Sequence, residues 1–144
     1  MNHTIRAAFA VILLTAILAA CSPGGSVSPS PQVPSTLAGT SWRAISVDGT
    51  ATVEGNQPTL TFAATDVNGN SGCNQFFGTY TYSGGAIDIT SGGMTMMACE
   101  EPIMGLESAY IAALDGASSV SVDDGGQLLL SGTGGDVLFV PAGA

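Results

Sequence analysis

Val67 to Tyr80 reads VNGNSGCNQFFGTY, and a later stretch, Met94 to Cys99, reads MTMMAC. Each places a cysteine beside a strand pattern. Phe77 to Tyr82 is aromatic and β-branched, with Tyr80 and Tyr82 on one face and Thr79 and Thr81 on the other. Ser83-Gly84-Gly85 then turns it into the alternating Ile87-Asp88-Ile89, so the pair reads as a hairpin. Asn68-Gly69-Asn70 reads as an interruption ahead of Cys73.

Working outward, Trp42 to Val47 predicts a first strand, with Trp42 and Ala44 on one face and Ile45 and Val47 on the other. Asp48-Gly49 marks a turn, and Leu60 and Phe62 alternate with threonines just after Pro58. Past the methionines the period changes. Pro102 to Leu114 carries Ile103, Leu106, Tyr110, Ile111 and Leu114 at helical spacing, led by Glu100 and Glu101 at the positive end of the dipole and stopped by Asp115-Gly116. Ser119 to Val122, Leu128 to Leu130 and Val137 to Val140 supply three more strands. The fold class is therefore mainly β (α+β): a small antiparallel meander curled into a barrel-like roll with one α-helix, a β-sandwich being the competing architecture.

The N-terminus carries an address. Arg6 followed by the apolar run Ala7 to Ala20 reads as a signal peptide over residues 1–20, too short for the about twenty residues of a permanent span. Leu18-Ala19-Ala20-Cys21 is similar to a bacterial lipobox, which implies a mature chain beginning at a lipidated Cys21. Ser22 in place of an aspartate implies the periplasmic face of the outer membrane in a diderm bacterium. An ordinary signal peptide that leaves Cys21 as a spare thiol is the alternative. Residues 21–36, rich in proline, serine and glycine, read as a flexible tether, and residues 37–144 as the folded domain.

Without the signal segment the chain keeps one cation, Arg43, against eleven carboxylates, and has no histidine or lysine. Such a chain repels phosphate backbones, so nucleic acid is no partner. Triads and histidine zinc sites lack their imidazole, which leaves only carboxylate chemistry. Glu100 and Glu101 are adjacent and diverge, and Asp123-Asp124 lacks a calcium-loop spacing. The reading is of no catalytic residue, no metal and no cofactor, in a non-enzymatic monomer.

Cys73 and Cys99 are the remaining thiols, and in an oxidising compartment they read as a disulfide closing a loop of roughly 25 residues, worth about 3 kcal/mol. A redox-active pair would want a closer spacing or an activating base. Met94, Met96 and Met97 raise soft-metal binding. Two points stand against it: Met96 and Met97 face opposite ways if the segment is extended, and an oxidised Cys99 is no ligand.

Leu37-Ala38-Gly39-Thr40-Ser41-Trp42, Leu60-Thr61-Phe62, Gly72-Cys73-Asn74, Gly78-Thr79-Tyr80, Thr95 to Cys99 and the helix with Glu107, in this order, resemble the META domain (HslJ-like) family. The resemblance implies a small, mainly β domain, often on a bacterial lipoprotein and linked to envelope or heat stress, without catalytic residues. Many members have arginine where this chain has Met96. The leading expectation is a stress-related binding or support module for an envelope protein or small apolar ligand. The alternatives are a carboxylate enzyme acting on cell wall or glycans, with Glu100, Glu101 and Glu107 as its acids, and a methionine-based copper protein.

Overall fold

The computed structural model describes residues 31–143. The segment read as a signal peptide, Cys21 and most of the stretch read as a tether lie outside them. The described strands are β1 (Ser41–Val47), β2 (Thr50–Ala51), β3 (Thr59–Phe62), β4 (Asp66–Asn70), β5 (Gln75–Ser83), β6 (Ala86–Met94), β7 (Ala117–Val122), β8 (Leu128–Gly132) and β9 (Val137–Pro141), with helix α1 (Ile103–Asp115) between β6 and β7. All pairings are antiparallel, and β1 pairs with β9 to close the sheet. The result is an eight-strand barrel of β1 and β3–β9, to which β2 adds a short extension on β1. Closure removes free edges, which suits a small all-antiparallel meander.

The expected hairpin of β5 and β6 is present, with Ser83 opposite Ala86 across Gly84-Gly85, both at positive φ. Phe76 and Tyr80 point inward and Phe77, Thr79 and Thr81 outward. Two local readings are corrected. Val47 does not face away from Trp42 and Ala44: the register slips between Ala44 and Ser46, and this bulge at Ile45 returns Val47 to the core. Asn68-Gly69-Asn70 does not interrupt a strand but is the second half of β4, paired with Phe77, Phe76 and Gln75. A Cβ on Gly69 would lie 2.0 Å from the Thr59 carbonyl oxygen, so the glycine is there for close approach of β3 rather than to break the strand.

The ladder between β6 and β7 is reduced to Ala86 opposite Ser119, and α1 packs mainly on β6 and also against β1 and β8. It presents Leu106, Tyr110, Ala113 and Leu114 to the interior. Tyr110 is fully buried, edge-on to Phe76 (5.9 Å) and Phe139 (6.2 Å), and its hydroxyl donates to the Thr59 carbonyl at 3.1 Å. At the far end of the helix, glycines allow backbone to touch backbone. A Cβ on Gly134 would meet the Ala112 carbonyl oxygen at 1.8 Å.

The helix begins one residue later than Pro102, which takes the N-cap position without a capping side chain. Glu101 instead reaches forward, its carboxylate accepting the Gly105 N–H at 3.1 Å. The tether reading is also shortened. Gln32 exchanges two backbone hydrogen bonds with Val122 of β7, each 2.7 Å, and the Tyr82 hydroxyl donates to the Pro34 carbonyl. The end of the proline-rich tract thus lies on the barrel, where the weak β6–β7 seam leaves β7 partners to satisfy.

Burial pushes the Tyr110 phenol well above the usual tyrosine range and raises Tyr80 as well. The unfolded chain gives up these protons near pH 10 while the folded one retains them. Stability is therefore fully present below about pH 10 and falls as pH rises beyond it. In urea unfolding followed from pH 8 to 11, Tyr110→Phe should flatten this decline. At neutral pH it should lower stability by about 1 kcal/mol, through the unpartnered Thr59 carbonyl.

Candidate functional site

The two stretches that bear the cysteines meet at one end of the barrel. Cys73 and Cys99 are joined as a disulfide, with Cα atoms 6.1 Å apart. Beside it the turn Ser71-Gly72-Cys73-Asn74 is held by the Ser71 N–H to the Asn74 carbonyl at 2.8 Å and by the Gly72 N–H to the Asn70 side chain at 2.7 Å. Gly72 has φ +108°, a conformation that glycine adopts without strain.

Under this turn sits Glu107, which the helix brings inward and which is 4% exposed. Its Oε2 accepts the Asn74 backbone N–H at 2.9 Å and the Ser71 hydroxyl; its Oε1 accepts the Asn74 Nδ2–H at 2.9 Å. A buried carboxylate without such donors would be strongly destabilising. Asn74, itself 1% exposed, relays the hold to the methionine segment. Its Oδ1 accepts the Met97 N–H at 2.7 Å and the Thr95 hydroxyl at 2.9 Å, while Nδ2 also donates to the Met97 carbonyl at 3.2 Å. Both ends of the amide are used, and no buried side-chain nitrogen or oxygen among the described residues lacks a partner.

Two concavities flank this hub. One, of about 460 Å³, is walled by Met94, Met96, Met97 and Met104, with Asn74 and Glu107 at its floor. The other, of about 440 Å³, lies between the β1–β2 turn and α1, where Val47, Val53, Leu106 and Ala109 form an apolar floor and Asp48 and Glu101 stand at its margin. Of the three acids considered from sequence, Glu107 is locked in the hub, Glu101 is engaged by Gly105, and Glu100 is exposed. The structure does not bring them together as one acid–base site. Among the described residues no group of three or more His, Cys, Asp or Glu side chains is placed to hold a metal ion.

Sequence reasoning missed Ser71 and Met104, and it saw Asn74 only as a member of Gly72-Cys73-Asn74. Gly72-Cys73-Asn74 and Glu107 are visible in the sequence, but their spacing does not say that an asparagine and a glutamate meet across the barrel end.

A small antiparallel barrel with one helix, closed by this disulfide and hub, defines a class, and comparison with known proteins gives it a family. The META domain family matches residues 35–144. A solved NMR structure of a protein from Burkholderia xenovorans is similar at 30% identity and a TM-score of 0.62, covering 83% of this chain and 94% of that one. A second NMR structure is similar at 25% identity and a TM-score of 0.55, covering 72% and 89%. The chain belongs to the META domain family. No curated protein matches it.

Two outcomes follow for the hub. Glu107→Gln should lower stability by about 1–3 kcal/mol in chemical denaturation. In either orientation the new amide N–H₂ faces a donor of Asn74 where a carboxylate accepts twice. Replacing both Cys73 and Cys99 by alanine should lower stability by about 3 kcal/mol, as expected for a crosslink between residues 26 apart.

Proposed function

We propose that this protein is a lipid-anchored, non-catalytic binding module of the bacterial envelope, held at the membrane through Cys21. Its ligand is a small apolar molecule or the apolar side chains of an envelope protein, taken in the groove between the β1–β2 turn and α1. The observation that carries this reading is the groove itself: Val47, Val53, Leu106 and Ala109 form an apolar floor of a size that suits a small ligand. The fate of the carboxylates supports binding over catalysis, because Glu107 has both oxygens engaged in holding the fold. The lipobox-like Leu18 to Cys21 supports the anchor, and the acidic composition supports a partner other than nucleic acid.

The test is titration with Nile red, a neutral apolar dye whose emission shifts blue on leaving water. Binding should be saturable. Ala109→Glu should weaken it at least tenfold with the near-UV circular dichroism unchanged, whereas Asp48→Asn with Glu101→Gln should leave it intact or tighter. Equal binding by Ala109→Glu would remove the groove as the site. For the anchor, Cys21→Ser should move the protein from the membrane fraction to the soluble periplasmic fraction.

A further inference from the structure

The methionine cavity is distinct from the apolar groove and has a chemistry of its own. Methionine ordinarily fills gaps in cores. Here Met94, Met97 and Met96 are 39%, 58% and 95% exposed, and together with the half-buried Met104 they wall one concavity. From sequence, two points stand against a soft-metal site: an extended course would send Met96 and Met97 to opposite faces, and an oxidised Cys99 is no ligand. The disulfide upholds the second, so the donors here are thioethers alone. On the first, β6 stops at Met94, Asn74 fixes Thr95 and Met97, and Met94, Met96 and Met97 all line one open concavity with Met104 of the helix.

We propose that Met94, Met96, Met97 and Met104 form a thioether site that takes one Cu(I) ion. The donor set decides the metal. Cys99 is spent in the disulfide, and the oxygens of Glu107 are occupied by Asn74 and Ser71, so the cavity offers neutral sulfur and little else. Soft, uncharged sulfur selects Cu(I) over Zn²⁺, Mg²⁺ or Ca²⁺, which want thiolate, imidazole or oxygen ligands. The Cys99 N–H donates to Met104 Sδ at 3.4 Å, which orients that sulfur and leaves its second lone pair for a metal. Unbranched methionine side chains converge readily on one ion, and the formal net charge of −9 favours the approach of any cation.

The experiment is Cu(I) competition against bicinchoninate, with ascorbate as reductant so that the disulfide survives, on the full chain with any free thiol alkylated. One equivalent of Cu(I) should be retained. The combined Met94→Leu, Met96→Leu and Met97→Leu variant, which roughly conserves side-chain volume, should lose affinity at least a hundredfold, and Met104→Leu at least tenfold. Zn²⁺ should not be retained. Ag(I), a redox-inert stand-in, should shift the methyl resonances of these four methionines and leave the alanine methyl resonances of the barrel core in place. Failure to retain Cu(I), equal retention by the triple variant, or unmoved methyl signals would each overturn the site.

Discussion

A buried carboxylate held by hydrogen-bond donors, with no cation beside it among the described residues, is the constraint around which this end of the molecule is arranged. Glu107 is tolerated because the turn from Ser71 to Asn74 offers it a hydroxyl, a backbone N–H and an amide N–H. Hydrogen bonds to a charged group are stronger than neutral ones, and leaving such a group bare in the interior is the more damaging alternative. The same turn is fixed covalently through Cys73, and Asn74 passes the hold onward to Thr95 and Met97. Helix, turn and methionine segment are thus one mechanical unit, built from contacts between residues far apart in the chain.

That unit fixes the helix against the barrel. The β6–β7 ladder is short, and α1 packs mainly on β6 and also against β1 and β8, with Tyr110 set among Phe76, Phe139 and the Thr59 carbonyl. Glycines complete the fit where side chains would collide, Gly69 under Thr59 and Gly134 under Ala112. The order of the barrel therefore depends as much on positions without a side chain as on the aromatic core.

Membership of the META domain family joins this chain to structures of the same fold without supplying an activity. The chemistry must then be sought in what the fold leaves open. What it leaves open is an apolar groove and an exposed set of thioethers, while Glu107 is engaged in holding the fold. Met96, at the margin of those thioethers, is the most exposed of the large apolar side chains among the described residues.

Most of the secondary structure was legible in the sequence, because alternation and helical spacing are local and the core enforces them. The hairpin of β5 and β6, the helix led by Pro102 and the closing strands fall where the periodicities put them. The disulfide was legible too, from cysteine count and the oxidising compartment that the N-terminal segment leads one to expect. Tertiary structure decided what local pattern could not encode. A bulge at Ile45 reverses the parity that placed Val47 outside, since one extra residue flips every later side chain. Asn68-Gly69-Asn70 is strand because β3 approaches too closely for a Cβ. Gln32 and Pro34 are docked because Val122 lies beyond the short β6–β7 ladder and pairs with Gln32, and Tyr82 has a hydroxyl to place. The Glu107–Asn74 hub and the gathering of Met94, Met96, Met97 and Met104 required the helix to be laid across the barrel end. Composition names such groups, but only long-range packing sets the distances between them.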